Sequence, residues 1–213
     1  MHAPCTARRA ALVTALVVTL TFGVAASARA QAPSPTPPAF DASSGSPPHA
    51  TSPARALLPD AFFVQLGAGD STDTVTLGLQ WHPRWRMPFA GGALSTYVEA
   101  SFGRWSLDSA PRTHAWVTQL GFTPVLRWRP RGGESPWFAE AGIGVNIVAP
   151  IYRNEDRQFS TTFNFGDHIG IGRNFGEHRR HELALRYEHF SNAGISHPNP
   201  GLNFAQLRYT YAF

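Results

Sequence analysis

Lysine is absent from this chain, and cysteine occurs once, at Cys5. Cys5 precedes an apolar stretch, Ala10 to Val24, and follows nothing that resembles a cleavage point. Arg8 and Arg9 supply a positive flank, and Ala28-Arg29-Ala30 forms a small-residue cleavage motif before Gln31. Together these features read as a secretory signal peptide over residues 1–30. The apolar stretch is too short and wrongly flanked for a stop-transfer helix. A lipoprotein anchor is not expected, because the cysteine does not sit at the cleavage point. Once the signal is removed no thiol remains. That excludes disulfides, a thiolate metal site and a cysteine nucleophile in the mature protein.

Excess charge is also missing. The formal net charge is +4, but the signal contributes three arginines and no acid. The mature chain then has fifteen basic and fourteen acidic residues, close to neutral. Nucleic-acid binding by bulk charge is not expected. The basic residues are all arginine, which suits bidentate phosphate contacts; a GC-rich coding bias produces the same composition.

Residues 31–56 are rich in Pro, Ser, Thr and Ala and read as a disordered linker. From residue 57 onward no amphipathic helix stands out. Instead there are eight segments of alternating hydrophobicity, bounded by Gly, Pro, Asn, Asp and Arg clusters. They are Ala61–Gly69, Asp73–His82, Leu94–Leu107, His114–Trp128, Pro136–Val148, Thr161–Phe175, His181–Asn192 and Leu202–Phe213. Several reach the length that a tilted strand needs to cross a bilayer. In the fifth, Ala139, Ala141, Ile143, Val145 and Ile147 alternate with Glu140, Gly142, Gly144 and Asn146. In the seventh, Leu183, Leu185 and Tyr187 alternate with Glu182, Arg186 and Glu188. An apolar exterior and a polar, glycine-rich interior produce this pattern. The expected fold is all-β: an eight-stranded antiparallel transmembrane β-barrel of the outer membrane, over residues 57–213.

Leu207, Tyr209, Tyr211 and Phe213 share one face and end the chain on phenylalanine. This resembles the C-terminal signature of clients of the outer-membrane assembly machinery, which is therefore an expected partner. An even strand number puts both termini on the periplasmic side. The loop Gly194–Gly201, after the seventh segment, is then extracellular.

The chemistry gathers just before that loop, in His189-Phe190-Ser191-Asn192-Ala193-Gly194. Residues two apart on a strand share a face. His189 and Ser191 are thus a base beside a hydroxyl, the minimal wiring of a serine nucleophile. They have the parity of Leu185 and Tyr187 and point out of the barrel, where polar groups are costly without a function. Asp167 lies on the apolar face of the sixth segment. A hairpin turn near residues 175–181 sets Asp167 opposite His189, within reach of the imidazole. The carboxylate would then hold the imidazole tautomer. His168, His178, His181 and His197 lack convincing metal spacing. No metal or cofactor is called for.

The segment Glu188–Asn203 resembles the lipid A 3-O-deacylase (PagL) family, whose His-x-Ser-Asn-Ala run is matched by His189, Ser191, Asn192 and Ala193. The family's downstream loop asparagine is matched by Asn199, and its Phe-x-Phe-x-Asp strand by Phe163, Phe165 and Asp167. The resemblance implies an eight-stranded outer-membrane barrel that hydrolyses the ester-linked acyl chain at the 3-position of lipid A, with lipopolysaccharide as substrate. It implies His189 as base, Ser191 as nucleophile, and an active site toward the outer leaflet. Backbone N–H groups around Asn192–Gly194 and the Asn199 side chain would form the oxyanion hole. The chain departs from the family at the third member of the triad. Glutamate is expected fourteen residues after the histidine, or one residue earlier; here those positions are Asn203 and Leu202. The alternatives are that Asn203 or Asp167 orients His189, or that the third member is absent, leaving a slow Ser-His dyad or an inactive site. A non-catalytic structural or adhesive barrel, and an esterase or phospholipase acting on another lipid, are the competing functional readings.

Overall fold

The computed structural model describes residues 57–107, 115–154 and 156–213. The signal peptide, the linker and His114 lie outside the described residues. Nine strands form one sheet: β1 (Ala61–Gly69), β2 (Thr72–Trp81), β3 (Arg86–Phe89), β4 (Gly92–Leu107), β5 (Trp116–Pro130), β6 (Trp137–Ala149), β7 (Phe163–Phe175), β8 (His181–Ser191) and β9 (Leu202–Ala212). All pairings are antiparallel, and β1 pairs with β9, which closes the barrel.

The short β3 was not anticipated. β4 pairs with β2 through residues 98–107 and with β3 through residues 92–95. β2 and β3 therefore form one stave, interrupted at His82–Trp85, and the barrel has eight staves. Pro83 cannot donate to the ladder and breaks the run. Asp60 Oδ2 takes up the freed His82 N–H at 2.7 Å. The remaining boundaries fall within two residues of those expected.

Burial is inverted relative to a soluble protein. Ile143 and Leu185 are 69 % and 60 % exposed, whereas Glu140 and Arg186 are 5 % and 4 % exposed. A belt of Val75, Leu77, Ile147, Ile169, Ile171 and Leu207 faces outward with them. Water penalises such a surface; hydrocarbon does not. Among the described residues the pairings β1-β2-β4-β5-β6-β7-β8-β9-β1 close on themselves, as a bilayer requires of spanning strands, and β3 pairs with β4 alone.

The lumen is filled by an alternating chain of charges. Arg127 bridges Glu182 and Glu140, each at 2.7 Å. Arg186 bridges Glu140 at 2.6 Å and Glu99 at 3.2 Å. Arg208 continues from Glu99 to Gln65 Oε1 at 2.7 Å. Tyr97 donates to Glu140 at 2.9 Å. Three arginines and three glutamates cancel, so the interior carries fixed dipoles and no net charge from this chain. The cavity left among these groups is about 10 Å³, room for about one water molecule. Replacing Arg186 by leucine leaves one buried carboxylate charge in excess, since Glu99 keeps only Arg208 and Glu140 keeps only Arg127. The expected cost is about 3 kcal/mol of stability, read as earlier loss of the compact, heat-modifiable gel band.

Above the charges, one end of the lumen is plugged by apolar side chains. Trp105 meets Phe190 at 4.9 Å, Phe204 at 5.2 Å and Tyr152 at 6.1 Å between ring centroids. Val117, Val148, Phe159 and Leu202 complete the cluster, each at most 1 % exposed. Tyr152 and Phe159 come from the β6–β7 connection, so this loop is pinned over the barrel mouth. The same end carries the long connections, 150–162 and 192–201.

Candidate active site

The plug fixes the backbone from which the site projects. On β8, Phe190 points inward and is 3 % exposed, so its neighbours His189 and Ser191 must face outward. On β9, Leu202 and Phe204 are fully buried in the same cluster, which turns Asn203 outward. Three adjacent aromatic or aliphatic anchors thus set the direction of three polar side chains. His189, Ser191 and Asn203 are all half-buried, at the end of the apolar belt.

Cross-strand register then brings the polar groups together. His189 pairs with Asn203 on one side and with Asp167 on the other. The Asp167 pairing is the register expected from the hairpin. The imidazole, however, is held by Asn203: Nδ1 donates to Asn203 Oδ1 at 2.7 Å. With the proton on Nδ1, the lone pair lies on Nε2. That is the tautomer a general base needs toward a serine hydroxyl. Asp167 faces outward, and among the described residues its carboxylate enters no hydrogen bond or ion pair. Glu188 points into the lumen, where it accepts a 2.6 Å bond from Gln206. Leu202 also points inward, so a carboxylate at that position would not reach the imidazole.

Ser191 and His189 sit two residues apart on one face, about 6.6 Å between Cα atoms at the rise of an ideal strand. Among the described residues no hydrogen bond joins Ser191 Oγ to the imidazole. Ser191 lies where β8 ends, next to a tight turn. Ala193 and Gly194 both have positive φ, 53° and 79°, and Ile195 N–H closes the turn on Asn192 O at 3.1 Å.

The loop asparagines divide their work differently from expectation. Asn192 is 1 % exposed and is spent on the loop itself. Its side chain donates to Ser160 Oγ at 3.0 Å and to Ser196 O at 2.9 Å. Its own N–H goes to Asn199 Oδ1 at 3.0 Å, and Gly194 N–H goes to Asn192 Oδ1 at 3.0 Å. These two backbone donors are therefore occupied, and Asn192 and Gly194 shape the turn. Asn199 is half-buried, and its oxygen is anchored by Asn192. Among the described residues the Asn199 amide nitrogen enters no hydrogen bond.

Gly201 has a role beyond turn formation. It is buried with φ 68°, and a Cβ there would lie 2.6 Å from His189 Cε1. The bare backbone forms one wall of the imidazole slot. Nothing in the one-dimensional pattern signals this beyond the Pro-Gly pair itself.

Comparison with known proteins agrees with this fold. The family model for lipid A 3-O-deacylase (PagL) matches residues 73–212. The lipid A deacylase PagL of Bordetella bronchiseptica is 39 % identical over 152 residues, which cover 70 % of this chain and 82 % of that protein. The protein of the same name from Pseudomonas aeruginosa is 32 % identical over 145 residues, 66 % of this chain and 79 % of its own length. The crystal structure of the outer membrane enzyme PagL superposes with a TM-score of 0.62 at 29 % identity, covering 72 % of this chain and 99 % of that one. The chain is an outer-membrane β-barrel, and it belongs to the lipid A 3-O-deacylase (PagL) family.

Proposed function

We propose that this protein is an outer-membrane esterase that hydrolyses the 3-O-linked hydroxyacyl chain of lipid A through Ser191 and His189. The observation that carries the reading is the His189 Nδ1–Asn203 Oδ1 bond, which leaves Nε2 as a base on the face that Ser191 shares. His189 accepts the Ser191 Oγ proton as Oγ attacks the acyl carbonyl. The oxyanion that forms accepts a hydrogen bond from the Asn199 amide. Collapse breaks the bond to the sugar oxygen, which leaves with the proton from His189. Water then resolves the acyl-enzyme, with His189 again as base, releasing the 3-hydroxy fatty acid. The long loops at the site end identify the extracellular side, so the site meets the outer leaflet, where lipopolysaccharide resides.

In this scheme Asn203 orients the base, and Asp167 does not. An amide fixes the tautomer as a carboxylate would but adds less stabilisation to imidazolium. Mass spectrometry of lipid A from cells expressing the chain tests the whole reading. Wild type is expected to remove one 3-hydroxyacyl chain. Asn203→Leu should slow release about 10- to 100-fold, while Asp167→Asn stays within about twofold of wild type. The opposite ranking would move the third role to Asp167. Unchanged lipid A beside a folded, membrane-inserted wild type would leave a structural or adhesive barrel, the reading that the missing glutamate favours.

A further inference from the structure

Two charged residues that contact neither Ser191 nor His189 hold the backbone on which the site depends. Asp70 occupies the two-residue turn between β1 and β2, where it and Ser71 both have positive φ, 48° and 59°. Its Oδ2 accepts the Asn203 backbone N–H at 2.8 Å, and its Oδ1 pairs with Arg157 Nη2 at 3.0 Å. Arg157 lies far away in the chain, on the β6–β7 connection. Its other terminal nitrogen, Nη1, donates to Gly201 O at 2.8 Å and reaches Pro200 O at 3.4 Å.

The targets of this pair are informative. Gly201 walls the imidazole and Asn203 binds its Nδ1. Both are fixed through their main chains, Gly201 by its carbonyl on Arg157 and Asn203 by its N–H on Asp70. The β1–β9 ladder last pairs Ala68 with Ala205, so the Asp70 carboxylate takes over where the pairing stops. Asn154 builds the platform beneath. Its side chain donates to Asp70 O at 3.1 Å, and its Oδ1 accepts the N–H groups of Asp156 and Arg157 at 3.0 and 2.7 Å. Tyr152 continues the support, joining Asn154 Nδ2 and Thr72 Oγ1, each at 2.8 Å. Three connections at the site end, from β1–β2, β6–β7 and β8–β9, meet in one ion pair.

We propose that Asp70 and Arg157 form a bracket that positions His189 for catalysis by setting the main chain of Gly201 and Asn203. Both are positioning residues. An arginine in an extracellular loop has an obvious competing role, attraction of lipid A phosphates, and the two roles separate kinetically. A phosphate contact is felt equally in the ground and transition states and changes KM. A misplaced base lowers kcat. This inference rests on the esterase reading, so its test uses an active wild type as reference.

Purified, folded barrel in detergent is assayed on lipid A, with Arg157→Gln, Arg157→Lys, Asp70→Ala and the Arg157→Gln/Asp70→Ala double variant. Arg153→Gln, a charge loss in the same loop, is the control. Arg157→Gln and Asp70→Ala are each expected to lower kcat about 10- to 100-fold, the scale of a misplacement near 1 Å, with KM within about twofold. Arg157→Lys should recover part of the loss, because one ammonium reaches fewer of the three acceptors than the guanidinium fork. The double variant should be no slower than the worse single one. Amide hydrogen exchange should rise at Gly201 and Asn203 in these variants and stay unchanged along the middle of β8. Arg153→Gln should match wild type. A normal kcat with raised KM in Arg157→Gln overturns the bracket in favour of phosphate binding. Normal kcat and normal exchange overturn it outright. An inactive but folded wild type overturns the esterase reading, and the bracket's catalytic role with it.

Discussion

Ser191→Ala is expected to slow acyl release from lipid A by about 10⁴-fold or more while leaving the barrel intact. The size follows from the chemistry: without Oγ no acyl-enzyme forms, and only positioning and the oxyanion donor remain. Stability should be untouched for a separate reason. Among the described residues the Ser191 hydroxyl is in no hydrogen bond, and alanine keeps the same outward Cβ on β8. His189→Ala should cost a similar factor. The double variant should be no slower than either single one, because nucleophile and base act as a unit. Quantitative mass spectrometry of released 3-hydroxy fatty acid measures all three, with heat-modifiable gel migration as the check on folding. Wild-type release by Ser191→Ala would eliminate the serine mechanism, whatever the fate of the substrate assignment.

The parts of this site that were legible in the sequence are those governed by period and register. Alternation put His189, Ser191 and Asn203 on the outward face, and the pleat keeps them there because Phe190, Leu202 and Phe204 cannot leave the plug. The hairpin spacing located Asp167 opposite His189, and the pairing is as expected. Proximity in the ladder did not decide the hydrogen bond, however. His189 has a cross-strand neighbour on each side, and its Nδ1 takes Asn203. The choice between two cross-strand partners depends on side-chain direction, which the pattern does not encode. The split stave at His82–Trp85 shows a different limit. Pro83 marks a break, but whether the chain then turns or resumes pairing is decided by β4, long enough to serve both β2 and β3.

Least legible were the contacts made by main-chain atoms. Asp70 and Arg157 are ordinary loop residues in the sequence, and a charged surface loop describes them equally well. Their meaning comes from acceptors and donors that have no side-chain identity: the Gly201 carbonyl and the Asn203 N–H. The lumen has the same character. Alternation shows that Glu99, Glu140 and Arg186 face inward. Only the barrel's closure shows that their charges pair across it, rigidly enough to support a site on the outer wall.

Gly201→Ala carries the second large effect, an expected loss of about 10²- to 10³-fold in kcat. Two penalties combine at this position. Any residue other than glycine strains at φ 68°, and the new Cβ would sit 2.6 Å from His189 Cε1. Real Cβ atoms do not tolerate that distance, so the ring must shift in its slot, which disturbs its bond to Asn203. Gly194→Ala separates the two penalties. Its φ of 79° imposes comparable strain, but nothing lies within 4 Å of a Cβ there. Strain of this kind costs about 1–2 kcal/mol of local stability and does not reach the imidazole. Gly194→Ala should therefore keep kcat within about fivefold of wild type, while Gly201→Ala nearly loses it. Residue 201 precedes β9, so both variants should retain the sheet and migrate as folded barrels. Equal losses in the two variants would mean that loop strain controls activity, and that the glycine wall of the imidazole slot does not.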